Sequence, residues 1–361
     1  MPTDSFKPAW WLPGPHLQTL WQPLFRRRPT PMTRRERLET PDGDFLDIDW
    51  LGPDEGPIVI LLHGLSGSSR SPYIRGMQSV LAKHGWRSAA MNFRGCSGEP
   101  NHTSRGYHSG DTRDLDFVYD TLRRRHKEAV IAAVGYSLGG NVLLKWLGER
   151  GNEIELMAAA AVCVPLRLDL CAERLDQGVS RLYRNQLLLE LKNYVRDKQR
   201  HLELIGRHKE AGKLAGLGDL SSIQSFWEYD SRVVAGLYGF RDAKDYYGQS
   251  SARQYLQHIR RPTLVIQALN DPFMTPEVLP EASELSPAVS LEVTDSGGHV
   301  GFVGGHLPWH PEYWLERRIP AFFTEAFRQP RHNHHACTSV RIGRLHDSRS
   351  TSTSPSSDSI S

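Results

Sequence analysis

Apolar runs alternate with amphipathic stretches along much of the chain, and this alternation constrains the fold more than any other feature. Ile58–Leu62 is continuously apolar, which is typical of a strand buried on both faces. Similar runs lie at Ser88–Phe93, Ala129–Tyr136, Leu156–Val164, Thr263–Ala268 and Val289–Val293. Helical spacing separates most of them. The pattern predicts an α/β fold with a mostly parallel central sheet flanked by helices.

Composition changes divide the chain into an arm, a main domain and a tail. Residues 1–33 are rich in Pro, Trp and Arg, which favours an irregular arm laid against the domain. Residues 34–328 form the main domain, which starts with a hairpin at 34–50 whose second strand is half-exposed. Its rhythm breaks at roughly 167–250, where charged helical sequence predicts an inserted helical cap. Residues 329–361 contain few large apolar side chains, which predicts a disordered tail.

The charge balance excludes some partners. The chain has 361 residues, with 44 Lys and Arg against 41 Asp and Glu, so its net charge of +3 gives no electrostatic case for nucleic acid. The one basic cluster is expected to be solvated, with peripheral contact to an anionic membrane as the alternative. It comprises Arg26, Arg27, Arg28, Arg34, Arg35 and Arg37. Three tryptophans of the arm, Trp10, Trp11 and Trp21, raise the same alternative, although packing is favoured.

Location follows from the cysteines and the apolar content. The four cysteines have no metal-ligand spacing, and Cys163 is expected to be a buried small hydrophobe. The first residues lack a signal-peptide pattern, and no stretch approaches the roughly 20 apolar residues of a membrane span. Together these features predict a cytoplasmic protein. The sequence does not determine the oligomeric state.

The segment Gly135–Gly139 matches GxSxG, the motif that places a nucleophilic serine on a sharp turn between strand and helix. It follows an apolar run and precedes an amphipathic stretch, which is the context the motif requires. Ser137 is therefore the predicted nucleophile. Because a serine hydroxyl is a poor nucleophile at neutral pH, it needs a base within hydrogen-bond reach.

The base and its orienting acid are expected after later strands, in the order Ser, acid, His. Asp271 follows the run at 263–268, and His299 follows the run at 289–293 within a Gly-rich loop. We predict His299 as general base and Asp271 as its orienting acid. Asp295 is the alternative acid, but it would share the loop of His299 and point away from the imidazole.

The oxyanion hole is expected to consist of two backbone N–H groups. One belongs to Leu138, directly after the nucleophile. The other belongs to Leu65, in the loop after the run at 58–62. His63 in that loop is predicted to be structural.

With these positions included, the chain resembles the YheT-like α/β-hydrolases, which are related to animal abhydrolase-domain esterases and lipases. The resemblance rests on stretches that span nearly everything before the tail. They lie at Pro15–Thr19, His63–Gly67, Asn92–Asn101, Tyr107–Asp111, Gly135–Asn141, Asn270–Phe273 and Gly297–Phe302. The resemblance implies the α/β-hydrolase fold and a short-chain carboxylesterase or acylglycerol lipase activity, with the triad on Ser137, Asp271 and His299.

These observations predict a serine hydrolase that cleaves a small-molecule or lipid ester through an acyl-enzyme, without a metal or organic cofactor. Acyl transfer to an alcohol acceptor is one alternative, since it would use the same intermediate. A binding module on a hydrolase scaffold is another, because a fold does not determine function.

Overall fold

A nine-stranded sheet forms the centre of the protein in a computed structural model that describes residues 5–26, 31–328 and 340–342. The described residues contain eleven strands, nine in this sheet and two in a separate pair. They are β1 (Arg34–Glu39), β2 (Phe45–Leu51), β3 (Ile58–Leu62), β4 (Arg87–Met91), β5 (Ile131–Tyr136), β6 (Ala158–Val162), β7 (Thr263–Ala268), β8 (Val289–Thr294), β9 (Val303–Leu307), β10 (His310–Tyr313) and β11 (Val340–Ile342). Their order in the sheet is β1-β2-β4-β3-β5-β6-β7-β8-β11, and β9 pairs with β10 separately. Neighbours from β4 to β11 run parallel, which confirms the predicted sheet.

The helices cover the sheet and build the region beside it. They are α1 (Gly14–Phe25), α2 (Pro72–Lys83), α3 (Arg113–Arg125), α4 (Leu138–Arg150), α5 (Leu168–Leu175), α6 (Ser180–Leu204), α7 (His208–Ala215), α8 (Phe226–Tyr229), α9 (Ala235–Tyr238), α10 (Ala243–Ser250) and α11 (Leu315–Arg328). A π-helical turn, Asp230–Val234, joins α8 to α9.

The buried core strands agree closely with the sequence pattern. β3 and β7 have the predicted bounds, and β4, β5, β6 and β8 lie within two residues of theirs. All residues of β3, β5, β6 and β7 are buried. Continuous apolar runs therefore identified strands that are covered on both faces.

The hairpin of β1 and β2 forms as predicted, but the expectation of a half-exposed β2 is wrong. Its first six residues are buried, including Asp47 and Asp49. Arg37 donates to Asp47 at 2.8 Å, and Arg35 donates to Asp49 at 2.7 Å. Each buried carboxylate is therefore paired with an arginine of the neighbouring strand. Arg35 and Arg37, which belong to the basic cluster that was predicted to be solvated, therefore lie in β1 and form ion pairs with β2.

The predicted helical cap corresponds to α5–α10, and no strand occurs in residues 167–250. The cap has its own apolar cluster, and Leu65 and Phe273 pack against both this cluster and that of the sheet. The cap thus encloses space above the sheet rather than extending it.

The expectation of an irregular N-terminal arm is wrong for Gly14–Phe25, which form α1. Pro15 is tolerated because the first helical N–H groups have no partner within a helix. Trp11 and Trp21 pack against each other with ring centroids 4.7 Å apart, whereas the Trp10 side chain is 75% exposed. Residues 27–30, within the basic cluster, lie outside the described residues.

The predicted tail lies outside the described residues except for β11, which pairs in parallel with β8 at the sheet edge. The sequence predicted a disordered tail over residues 329–361 and did not predict this short strand. Among the described helices, none combines the length and apolar character needed to cross a bilayer.

The connectivity brings two loops together at the carboxyl ends of the strands. The chain leaves β3 for β4 on one side and returns to β5 on the other side of β3. Such a change of direction opens a crevice between the loops that follow the two central strands. Here those loops carry Leu65 and Ser137.

Candidate active site

Ser137 occupies a strained turn between β5 and α4. Its φ of 53° lies in the left-handed region, which is costly for a residue with a side chain. Its N–H donates to the Val162 carbonyl at 2.8 Å, which holds the turn against β6. Space is scarce around it: a Cβ on Gly135 would lie 2.4 Å from the Gly139 oxygen, and one on Gly139 would lie 2.5 Å from the His63 oxygen. The glycines of the motif are required by this close approach.

The structure brings the three predicted side chains into one hydrogen-bonded chain. The His299 Nε2 lies 2.9 Å from the Ser137 Oγ, and the His299 Nδ1 lies 2.8 Å from the Asp271 Oδ2. Asp271 is buried, and its other oxygen accepts from the Phe273 N–H at 2.8 Å. Asp295, the alternative acid, is exposed. Asp271 is therefore the carboxylate that meets the imidazole.

Phe273 is a site residue that the sequence reasoning missed. Its ring stacks on the His299 ring with centroids 4.1 Å apart and an interplanar angle of 10°. Its backbone N–H is the one that Asp271 accepts. One residue thus restrains both the imidazole plane and the carboxylate.

The two predicted oxyanion donors border the same space as Ser137. Tyr73 Oη accepts the Gly64 N–H at 2.9 Å, and Tyr107 Oη accepts the Ser66 N–H at 3.0 Å. Leu65 lies between these two anchored amides. Within the described residues, no hydrogen bond uses the N–H of Leu65 or of Leu138. Both groups remain available to an oxyanion.

His63 supports this loop from below. Its Nδ1 lies 2.8 Å from the Gly64 oxygen, and its Nε2 accepts the Phe93 N–H at 3.1 Å. Burial lowers the pKa of His63 to about 4, so the ring is neutral at pH 7. Its contacts agree with the structural role that was predicted.

Cys163 lies beneath the His299 loop and is fully buried, as expected. Its Sγ comes within 4.8 Å of ligand-type atoms of Asp271 and His299, a grouping that could hold a metal ion. Burial raises the pKa of the Cys163 thiol well above its usual range, which keeps it protonated. The Asp271 and His299 atoms are hydrogen-bonded to each other. This arrangement favours the hydrogen-bonded chain of Asp271, His299 and Ser137 over metal binding.

Comparison with known proteins identifies the family to which this fold belongs. A family model described as the alpha/beta hydrolase fold matches residues 57–305. The chain belongs to the α/β-hydrolase family. This hydrolase is 42% identical over 321 residues to YheT of Escherichia coli (strain K12), named as a candidate esterase, with 86% of this chain and 90% of YheT covered. The predicted resemblance to YheT-like proteins is confirmed.

Two further comparisons extend the relationship. Phospholipase ABHD3 of Homo sapiens is 30% identical to the hydrolase over 321 residues, which cover 86% of this chain and 76% of ABHD3. Among solved structures, the esterase Pf2001 of Pyrococcus furiosus superposes with a TM-score of 0.50 at 19% identity. That match covers 81% of this chain and 92% of Pf2001, and it shows a shared fold.

A cavity of about 340 Å³ lies between the sheet and the cap of the hydrolase and reaches Ser137 and His299. Its walls are mainly apolar and aromatic, with contributions from Leu187, Phe226 and Leu237 of the cap. The size and lining are typical of small-molecule sites. The cap therefore contributes about half of the residues that line the cavity.

Two buried ionisable groups of the cap also line this cavity, and sequence reasoning missed both. Burial raises the pKa of Asp230 to about 7, and its Oδ2 accepts from the Tyr247 hydroxyl at 2.7 Å. Burial lowers the pKa of Lys198 to about 7, and its Nζ donates to the Arg105 oxygen. No local pattern marks such groups, because their burial arises from packing between cap helices.

The N-terminal helix also reaches the site of the hydrolase. Thr19, Gln22 and Pro23 of α1 line the cavity. The segment Pro15–Thr19 was part of the family resemblance, which was the available signal, although its chemistry was not evident from the sequence. The helix lies outside residues 57–305, which the family model matches.

Proposed function

We propose that this protein is a serine hydrolase that cleaves carboxylic esters, of the short-chain carboxylesterase or acylglycerol lipase type. The observation that carries the proposal is the His299 imidazole, which bridges the Ser137 Oγ at 2.9 Å and the Asp271 Oδ2 at 2.8 Å. That arrangement is the one that acyl transfer through a serine nucleophile requires. The relatives named as esterase and phospholipase support the same class.

In the first half-reaction, His299 Nε2 takes the Ser137 proton as the Oγ attacks the ester carbonyl. Asp271 holds the Nδ1–H tautomer and stabilises the imidazolium that forms. Negative charge develops on the carbonyl oxygen, where the N–H groups of Leu65 and Leu138 are available as donors. The leaving alcohol departs with the proton from His299, and the acyl group stays on Ser137.

In the second half-reaction, His299 takes a proton from water as the water oxygen attacks the acyl-enzyme. The carboxylic acid is released, and the proton returns to Ser137. This cycle uses no metal or organic cofactor. The apolar lining of the cavity supports an acyl chain or another lipid group as the part of the substrate that enters it.

The direct test is covalent labelling of Ser137 with a fluorophosphonate, mapped by peptide mass spectrometry. Ser137→Ala is expected to abolish labelling and to lower kcat on a p-nitrophenyl ester by roughly 10⁴–10⁶-fold, because the acyl-enzyme cannot form. The exposed Ser222 provides the control variant Ser222→Ala, which should match the wild type.

Retention of wild-type activity in Ser137→Ala would contradict the nucleophile assignment. A wild-type protein that neither labels nor hydrolyses esters would instead favour a binding module. A p-nitrophenyl ester series of increasing acyl length then defines the chain that the cavity accepts.

A further inference from the structure

The loop that carries His299 has an unusually strained backbone. Positive φ values occur at Gly298 (59°), Val300 (59°) and Phe302 (44°), and two of these residues are not glycine. Such conformations are costly for the two residues that have a side chain, Val300 and Phe302, and persist only where surrounding contacts enforce them. The contacts of Asp271 and Phe273 restrain the imidazole ring, so the strained backbone needs a separate support.

Thr19 of α1 contacts the backbone of His299 itself. The His299 N–H donates to the Thr19 Oγ1 at 2.9 Å, and the same hydroxyl donates its hydrogen to the Pro15 oxygen at 2.7 Å. Because the single hydroxyl hydrogen is directed at Pro15, a lone pair of the oxygen faces His299. The orientation of this acceptor is therefore determined by the helix.

Two buried glutamines of α1 hold the rest of the loop. Gln22 Nε2 donates to the Val300 oxygen at 2.8 Å. Gln18 Oε1 accepts the Val303 N–H at 2.8 Å, and its Nε2 donates to the Val303 oxygen at 2.9 Å. These contacts begin directly after His299 and continue to β9, so α1 binds the loop along its length.

The helix also approaches the loop closely enough to require glycine there. A Cβ on Gly298 would lie 2.6 Å from the Pro15 oxygen, and one on Gly301 would lie 2.4 Å from the Gln18 oxygen. The glycines beside His299 thus fit the surface of α1, much as those beside Ser137 fit the neighbouring strands.

On the sheet side, Asn270 of the loop after β7 holds the residue before His299: its Oδ1 accepts the Gly298 N–H at 3.0 Å. The other sheet-side contacts involve sulfur. The Val300 N–H donates to the Cys163 Sγ at 3.2 Å, and the Cys163 thiol faces the Gly298 oxygen at 3.6 Å. Sulfur is a weak acceptor and a thiol is a weak donor. From His299 to Gly301, the stronger hydrogen bonds to the backbone come from α1.

We propose that α1 is a positioning element for the general base, and that Thr19 is the residue that sets the His299 backbone so that the imidazole reaches Ser137. This proposal rests on the proposed function, since it concerns the same triad. Thr19 acts through His299 and is a positioning residue. A displacement of about 1 Å in such a group can cost roughly 100-fold in rate.

The test compares Thr19→Val, Thr19→Ser and a matched control, Thr324→Val. Thr324 of α11 makes the same hydroxyl bond to a proline carbonyl one turn earlier, to Pro320 at 2.8 Å. In Thr19→Val we expect the fluorophosphonate labelling rate and kcat to fall by roughly 10- to 100-fold. We expect KM to change by less than about threefold. Thr19→Ser should recover most of the rate, because it restores the acceptor.

Both variants lose a hydroxyl bond to a proline carbonyl, and Thr19→Val also loses the bond from the His299 N–H, so its thermal unfolding should shift somewhat more than that of Thr324→Val. Labelling is therefore compared at a temperature where both variants are folded. The proposal is overturned if Thr19→Val labels as fast as Thr324→Val, or if its lost labelling merely follows its unfolded fraction. Ser137 labelling in the wild type separates the two proposals. If the wild type labels there and Thr19→Val labels equally fast, only the role of α1 fails; if the wild type does not label, the proposed function fails.

Discussion

The turn at Ser137 and the loop at His299 both have strained backbones, but different parts of the molecule support them. Both present a side chain from strained backbone, with φ of 53° at Ser137 and 59° at Val300. The Ser137 turn is supported by the loop after β3 and by β6. The His299 loop is supported by Thr19, which lies 280 residues away in sequence.

The difference separates supports inside the span that the family model matches from a support that lies before that span. The Ser137 turn rests on elements inside the matched span of residues 57–305, whereas α1 lies before that span. Parallel strands fix the spacing of the loops that follow them, so the sheet determines the position of Ser137. The loop after β8 contacts the sheet on one side only. On its other side it contacts α1, through Thr19 and Gln22.

Among variants that change the supports of the two loops, the largest loss of stability is expected from Gly139→Ala, which distorts the Ser137 turn. The added Cβ would lie 2.5 Å from the His63 oxygen and 2.7 Å from the Leu62 oxygen, both backbone atoms that cannot give way easily. We expect the free energy of unfolding to fall by about 3 kcal/mol, together with the rate of Ser137 labelling. Chemical denaturation and probe labelling measure the two effects.

Gly212→Ala is the control for Gly139→Ala, because a Cβ there meets no atom within 4 Å. It should be neutral or stabilising by up to about 1 kcal/mol, as expected for a helical glycine. If the two variants were equally stable, the backbone around Ser137 could accommodate an added methyl group. The Ser137 turn would then not be held tightly by the neighbouring strands, as the comparison of the two loops assumes.

An intermediate effect is expected from acid, through His63. Burial lowers the pKa of His63 to about 4, below its ordinary value of 6.5. The stabilisation from the neutral ring is therefore fully present above pH 6.5 and is lost as the pH falls through 4, by up to roughly 3 kcal/mol. In His63→Asn, the unfolding free energy should be lower at pH 8 but should fall less steeply between pH 6.5 and 4.

His108 leaves part of that slope in the variant, since burial also lowers its pKa to about 4. Denaturation curves measured at several pH values give the two slopes. Parallel curves for the wild type and His63→Asn would show that the neutral His63 ring does not stabilise the loop beside Ser137.

The smallest effect is expected from Cys163→Ala, which removes the contact of the His299 loop with the residue that follows β6. Because the Sγ is a weak acceptor for the Val300 N–H, we expect a loss of about 1 kcal/mol in stability. The labelling rate should fall by no more than about two- to threefold. If Cys163→Ala slowed labelling as much as Thr19→Val, the sheet rather than α1 would be the main support of this loop.

Local sequence was sufficient to locate the core strands of the sheet, and it indicated the three side chains that the structure brings into contact. Continuous apolar runs located β3 and β7 to the residue, because a strand covered on both faces excludes polar side chains throughout. The strand–turn–helix context of Ser137 is likewise local. The order of the later strands then indicated Asp271 and His299, whose side chains the structure brings to within 2.9 Å contacts.

Tertiary structure alone decided which surfaces enclose that site. The sequence predicted an irregular arm where α1 forms, because prolines at 15 and 23 hid a helix that is stabilised by packing on the His299 loop. It also predicted a half-exposed β2, since the pairing of Asp47 and Asp49 with arginines of β1 cannot be read from alternation. The stacking of Phe273 and the burial of Asp230 have the same origin. Each depends on a partner distant in the chain, and hydrophobic periodicity records only whether a residue is buried, not which residue covers it.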